Sequence, residues 1–309
     1  MTIKHLVFGG GGAGGYAIYG AIKWLAKNNY WNIENIESMY STSIGALISI
    51  YVALNYDWNI LDDYLIKRPW DKVINIKPLN IINIWKEKGV FNESVIKLIL
   101  KPLLEAKELS EDITLKEFYE FNNIDLHFYT TDINRVLPEK IDLSYKTHPD
   151  LELYKAAAMS AAIPIIFSPI CDNSFCYIDG GLLNNFPLDD CIERNKNIDE
   201  ILAIKVNTEL DIDYINSEST FPNYLYTLVE GMRKLISTEN RQTVIPNIVY
   251  CKLETNCFSN WMEALIDENT RKEIIDVGER CGEKFLNNES VESVESVKSI
   301  EVDESTQSI

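Results

Sequence analysis

The chain opens on Ile3-Lys4-His5-Leu6-Val7-Phe8, an apolar run that passes directly into Gly9-Gly10-Gly11-Gly12-Ala13-Gly14-Gly15 and then into a helical pattern from about Tyr16 to Asn28. A strand delivered into a helix through seven small residues is the opening unit of a layered α/β arrangement. Gly10, Gly12 and Gly15 fit the GxGxxG spacing, in which backbone N–H groups and a helix N-terminus hold a pyrophosphate. That use needs an acidic residue at the end of the following strand to hold a ribose. Here Glu34 and Glu37 precede that strand, and Ser41-Thr42-Ser43 close it. The same row of N–H groups, facing the next strand end, also suits a developing oxyanion.

The following strand carries the second feature. In Ser38-Met39-Tyr40-Ser41-Thr42-Ser43-Ile44-Gly45-Ala46-Leu47, an apolar run meets a serine flanked two positions either way by small residues, and a helical pattern continues from Ile44 to Leu54. Strand and helix backbones crowd at such a turn, so Ser41 and Gly45 leave room for Ser43 to stand exposed at the strand end as a nucleophile. Plain turn and cap chemistry is the competing account of a Ser/Thr/Gly cluster in this place.

A third region runs from Leu153 to Leu188. Its small-residue helix, Ala156-Ala157-Ala158-Met159-Ser160-Ala161-Ala162-Ile163-Pro164, precedes Cys176-Tyr177-Ile178-Asp179-Gly180-Gly181, a strand ending in Asp-Gly-Gly. An Asp at a strand end, followed by two glycines that let the backbone turn away, is aimed across the carboxyl edge of the sheet. Asp-Gly is also the commonest kind of turn dipeptide, so the structural account stands beside the functional one.

Taken together, the three pieces resemble the patatin-like phospholipase family, whose members carry a GGGxxG oxyanion loop, a GxSxG serine elbow and a DG[GA] motif. The matching positions are Gly10, Gly11, Gly12, Ala13, Gly14 and Gly15; Ser41, Thr42, Ser43, Ile44 and Gly45; and Asp179, Gly180 and Gly181. The flanking text Ala158 to Pro169, Asn184-Asn185-Phe186-Pro187 and Thr130-Thr131-Asp132 follows the family pattern too, so the resemblance covers about Ile3 to Val206. Two positions depart from it: Ser41 replaces the first Gly of the elbow, and Gly14 stands where the family usually has Arg or Lys. The resemblance implies a three-layer α/β/α fold with a mainly parallel central sheet. It further implies lipid acyl hydrolysis by a Ser43-Asp179 dyad, with oxyanion donors from the Gly11 to Ala13 region and no cofactor or metal. A phospholipid or acyl ester is the implied substrate, with transient peripheral contact with a membrane as a further expectation. Two other function classes stay open: a catalytically impaired relative that binds lipid, motivated by Ser41 and Gly14, and a nucleotide-binding α/β protein.

Composition narrows the field further. A net charge of −18 argues against a nucleic-acid surface, which needs Lys and Arg to neutralise phosphates. Six acids and one lysine lie beyond Asn287, which leaves −13 for the body and no general attraction to anionic membranes. Six cysteines form no CxxC pair, so no zinc spacing is present and reduced thiols in an intracellular setting are expected. Glycines interrupt the uncharged stretch from Leu6 to Ile22, which therefore reads neither as a signal peptide nor as a membrane span. The expected location is cytosolic or peripheral to membranes.

The remaining chain reads as amphipathic helices from Leu61 to Leu104, broken at Pro69, Pro78 and Gly89, with Trp58, Trp70, Trp85 and Phe91 in or beside them. A capping box opens a helix at Thr114-Leu115-Lys116-Glu117. Leu126 to Thr131 reads as a buried strand that makes His127 a core or edge residue, while His5 and His148 have no catalytic setting. Strands near Ile201 to Val206 and Ile248 to Cys251 alternate with helices near Pro222 to Ser237 and Thr270 to Leu286. Phe258, Trp261, Met262 and Leu265 read as lid or core. One domain over residues 1–286 is expected, followed by a disordered acidic tail over 287–309 rich in Ser, Val and Glu.

Overall fold

The structure is a computed structural model that describes residues 2–74, 86–172, 174–208, 215–239, 243–253 and 258–287. Pro78, Trp85, Cys257 and the expected tail beyond Asn287 lie outside the described residues. Ten strands are described: β1 His5–Phe8, β2 Ser38–Thr42, β3 Gly89–Phe91, β4 Asp125–Asp132, β5 Glu139–Leu143, β6 Ile165–Phe167, β7 Ile170–Cys171, β8 Cys176–Asp179, β9 Ile201–Thr208 and β10 Ile248–Leu253. Eight form the main sheet in the order β10-β9-β1-β2-β4-β8-β7, with β5 also paired to β4; β3 and β6 form a separate two-stranded sheet.

The strands from β10 to β4 run parallel, whereas β5, β8 and β7 are added antiparallel. β5 pairs with Phe128 to Asp132 along one edge of β4. β2 occupies the opposite edge from Asp125 to Tyr129, and β8 takes over that same edge from Thr130 to Asp132. The two strands therefore run toward each other and stop at adjacent registers, Thr42 opposite Tyr129 and Asp179 opposite Thr130.

Alternation along the strands divides the core into two layers. Leu6, Phe8, Met39, Phe128, Leu202 and Ile204 pack into a large cluster with the helices Gly15–Lys27 and Ile44–Ala53. Val7, Tyr40, Tyr129, Ile201 and Ala203 face the other way, onto Leu188 and Cys191 of the helix Leu188–Asn195. A period of two with both faces buried is what a helix-covered parallel sheet requires. The result is the three-layer α/β/α fold with a mainly parallel sheet.

The helix Glu268–Leu286 closes the first layer against Gly15–Lys27. Lys23, buried between them, gives Nζ to Asp62 Oδ1 at 2.8 Å and to Glu279 Oε1 at 2.8 Å. Thr114 caps the helix Leu115–Asn122 through the expected reciprocal bonds with Glu117. Two expectations are corrected. Phe91 lies on β3 rather than in a helix, because Gly89 and Phe91 pair with Ile165 and Phe167 more than 70 residues away. Cys171 and Cys176 are joined by a disulfide rather than reduced, since the β7–β8 register sets them opposite one another.

Candidate active site

The site is built where strand ends meet the glycine-rich loop. β2 stops at Thr42, and Ser43 adopts φ 56°, ψ −127° before the helix Ile44–Ala53 begins. Positive φ at a residue with a side chain costs of order 1–3 kcal/mol and persists only where the surroundings hold it. Thr42 Oγ1 donates to the Asn184 carbonyl at 2.7 Å, and the Ser43 N–H donates to Ser160 Oγ at 3.0 Å. Ser160 Oγ in turn donates to the Tyr129 carbonyl at 2.7 Å. Gly45 lets the helix pass close over β1: a Cβ there would stand 2.6 Å from the Phe8 carbonyl oxygen.

Ser41, in place of the usual Gly, is fully buried and donates its hydroxyl to the His127 carbonyl at 3.5 Å, so the extra group is housed within the sheet. At Gly14 a Cβ would lie 2.9 Å from Val206 Cγ2 and 3.0 Å from Leu253 Cδ1. Side chains of β9 and β10 thus fill the space that a side chain at position 14 would enter.

Within the loop, the Gly9 N–H donates to the Ile204 carbonyl at 3.1 Å, that of Gly10 to the Asn185 carbonyl at 2.9 Å, and that of Gly14 to the Gly11 carbonyl at 2.8 Å. Gly12 and Ala13 occupy the first turn of the short 3-10 helix Gly12–Gly14, where N–H groups have no acceptor within the helix. Both residues share with Ser43 the walls of two cavities.

Asp179 ends β8 with its backbone N–H bonded to the Ala162 carbonyl at 2.9 Å, and the Gly180 N–H reaches the Ser160 carbonyl at 3.2 Å. Its Oδ1 accepts the Gly181 N–H at 2.6 Å, whereas Oδ2 is buried and accepts no hydrogen bond. Burial raises the carboxyl pKa from 3.8 to about 6, while the adjacent Ser43 hydroxyl and the Gly181 N–H pull it part of the way back. Ser43 therefore stands beside the carboxyl without closing a bond to Oδ2. Catalytic pairs commonly tighten only when substrate arrives.

Both cavities are walled mainly by apolar side chains, and they differ in the charged groups they carry. One, of about 120 Å³, runs from Ser43 between apolar walls that include Leu47, Tyr51, Trp70, Phe91, Phe167 and Leu265. The other, of about 200 Å³, holds Asp179, Asn185, Glu230 and Arg233. Ser43, Ile163 and Trp261 belong to both walls. Trp261 and Leu265 thus line the site and pack on the core at once, while the side chain of Phe258 lies outside the described residues.

The three histidines lie elsewhere. His5 Nδ1 bonds Ser38 Oγ at 2.8 Å, and His127 sits between Asp125 and Asp142, stacked on Tyr40 at 4.5 Å. His148 bonds Thr147 Oγ1 at 2.9 Å. No His lines either cavity. Among the described residues no cluster of His, Cys, Asp and Glu is arranged to hold a metal ion.

Ser43, Asp179 and the glycine loop, far apart in sequence, are thus brought together. Sequence reasoning gave no role to Ser160, Asn185, Glu230 or Arg233. Ser160 and Asn185 stood in motif-flanking text that already set them apart, whereas the helix carrying Glu230 and Arg233 offered only its amphipathic pattern.

A serine at a strained strand-to-helix turn, under a glycine-rich helix N-terminus and beside a buried aspartate, defines a serine-elbow protein of the α/β/α class. The sequence model of the patatin-like phospholipase family matches residues 6–192, and the chain belongs to that family. It is 32% identical over 207 residues to a probable lipid hydrolase, 463L, of Invertebrate iridescent virus 6, covering 65% of this chain and 69% of that one. It is 25% identical over 227 residues to the uncharacterised protein R571 of Acanthamoeba polyphaga mimivirus, covering 70% and 74% respectively. The crystal structure of VipD from Legionella pneumophila shares the fold with a TM-score of 0.51 and 18% identity, covering 94% of this chain and 67% of that one. Among the described residues no helix is long and apolar enough to cross a membrane.

Proposed function

We propose that this protein is a lipid acyl hydrolase that cleaves the carboxylic ester of a phospholipid or neutral acyl lipid, with Ser43 as nucleophile and Asp179 as base. The observation that carries this reading is that two cavities meet at Ser43, one walled by apolar side chains and the other carrying Asp179, Asn185, Glu230 and Arg233 in a wall that is otherwise mainly apolar. An acyl chain enters the first, and the alcohol portion of the ester occupies the second, beside its charged groups. Family membership and the likeness to a named lipid hydrolase support the same reading.

Ser43 Oγ attacks the ester carbonyl carbon as its proton passes to Asp179 Oδ2, the acceptor site left open. The carbonyl oxygen gains the negative charge, and the N–H groups of Gly12 and Ala13 stabilise it. Collapse of the intermediate breaks the carbon–oxygen bond to the alcohol, and Asp179 returns the proton to that leaving alkoxide. Asp179 then takes a proton from water, whose oxygen attacks the acyl carbon and releases the fatty acid as the proton returns to Ser43. A carboxyl pKa near 6 leaves this base ionised at neutral pH and still able to give its proton back. Ser41 is housed within the sheet by its bond to the His127 carbonyl, and Gly14 sits where a Cβ would meet Val206 and Leu253.

Incubation with mixed liposomes containing phospholipids and diacylglycerols, followed by mass spectrometry of the lipids, tests the reading. Free fatty acid and the matching deacylated lipid are expected with the natural protein and not with Ser43→Ala. If no acyl ester in the mixture is consumed by a folded protein, the reading is wrong.

A further inference from the structure

The helix Phe221–Glu239 leaves a row of large apolar side chains in water beside the site. Tyr224, Leu228 and Met232 recur every four residues and are 45%, 41% and 50% exposed. That spacing puts them on one face of the helix. The same helix contributes Val229, Glu230, Met232 and Arg233 to the wall of the cavity that holds Asp179. Met232 belongs to both the row and the wall, so the exposed face runs without a break into the mouth of the site. The helix rests chiefly on the short helix Gly181–Asn184 and on β6, the segments that follow Asp179 and precede β7.

Resting on the hydrolase reading above, we propose that this face docks on the surface of a zwitterionic lipid bilayer and sets the mouth of the site against it. A helix with one apolar face and a polar opposite face lies in the plane of a lipid interface with its apolar side sunk among the acyl chains. The substrate of the proposed reaction resides in such a surface, and Met232 links that surface to the cavity. Charge selects the lipid. By sequence the helix carries as many acidic as basic residues, and Arg233 is bonded to Glu230 at 2.6 Å. A chain with a net charge of −18 is repelled by anionic headgroups, so a neutral phosphatidylcholine surface fits where an acidic one does not.

The test measures flotation of the Ser43→Ala protein with phosphatidylcholine vesicles, alone and combined with Tyr224→Gln and Leu228→Gln. Neither Tyr224 nor Leu228 lines a cavity with Ser43, and Gln keeps helix propensity. We expect the inactive parent to float and the two Gln changes to lower its vesicle affinity by about tenfold or more, with melting temperature unchanged; Leu228→Trp should raise it. In the otherwise natural chain, Tyr224→Gln with Leu228→Gln should leave hydrolysis of a water-soluble short-chain ester intact and slow hydrolysis of vesicle lipid. Equal flotation of parent and Gln variant overturns the proposal, as does binding only to vesicles containing anionic lipid. A dimer in sedimentation that the Gln changes dissociate would make a second copy the occupant and overturn it equally. Flotation with no hydrolysis of any ester would instead leave the docking surface standing and remove the hydrolase reading.

Discussion

Ser43 and Asp179 meet because β2 and β8 occupy successive stretches of one edge of β4 and approach from opposite directions. Thr42 is held opposite Tyr129 and Asp179 opposite Thr130. Ser160 spans the junction: its hydroxyl joins the Ser43 N–H to the Tyr129 carbonyl, and its own carbonyl takes the Gly180 N–H. The relative placement of the proposed nucleophile and base is thereby fixed by sheet register, with no flexible loop between them and the strand that carries both.

Activity should follow the ionisation of Asp179. Burial raises its pKa to about 6, and the base works only as the carboxylate. On a soluble ester, kcat/KM is expected to be low at pH 5, to reach half its plateau near pH 6 and to level off above pH 7. A rate that rises instead with a midpoint near pH 4 would mean that the carboxyl is not desolvated in the working enzyme.

Asp179→Asn should be inactive yet more stable at alkaline pH. A carboxyl whose folded pKa lies above its unfolded value of 3.8 binds its proton more tightly in the folded state. Stability is therefore lost as pH rises from about 4 through about 6, and the loss is complete above that range. A shift of roughly two units corresponds to about 3 kcal/mol, an upper figure that the amide removes. Denaturant melts at pH 8 and pH 4 check this: the variant should gain at pH 8, and the gain should vanish near pH 4.

Ser160→Ala removes the acceptor of the buried Ser43 N–H. The nucleophile should lose its fixed position, lowering kcat on a soluble ester by about tenfold to a hundredfold while KM changes little. Thr at this position keeps the hydroxyl and should recover part of the loss. Equal values for the Ala and natural enzymes would show that the turn is held without Ser160.

Stability should depend on the helix crossing between Gly15–Lys27 and Glu268–Leu286. A Cβ at Gly278 would lie 2.0 Å from the Ala17 carbonyl oxygen, so even Gly278→Ala must push the helices apart. Overpacking of this kind costs about 1–3 kcal/mol, a fall of several degrees in Tm. Gly231→Ala is the matched control: nothing lies within 4 Å of its Cβ position, and Ala there favours the helix. A Tm for Gly278→Ala at or above that of Gly231→Ala would mean that the two helices do not cross so closely.

The elements that sequence made legible are those written in local chemistry. The glycine loop after β1, the small residues around Ser43 and the Asp-Gly-Gly after β8 each declare a sharp turn by residue size alone. Thr114 and Glu117 likewise declare a helix start. What stayed hidden depends on partners distant in sequence. Phe91 becomes a strand residue only because Phe167 pairs with it, and Cys171 meets Cys176 through a hairpin with too little apolar alternation to be read. Ser160 looks like one more small residue of an Ala-rich helix until β2 and β8 are placed on either side of it. Arg233 and Glu230 reach the cavity that holds Asp179 from a helix whose periodicity says nothing about which site it borders.

The central claim is tested most directly by the rate and position of covalent labelling with a fluorophosphonate, read by mass spectrometry of the intact protein and its peptides. The account predicts one adduct, on Ser43, in the natural protein and none in Ser43→Ala. It further predicts that labelling of folded Asp179→Asn is slower by about 10²-fold to 10⁴-fold, the usual worth of a general base. Labelling of Ser43 at the natural rate in Asp179→Asn, or an adduct on another residue, would contradict the Ser43-Asp179 pair.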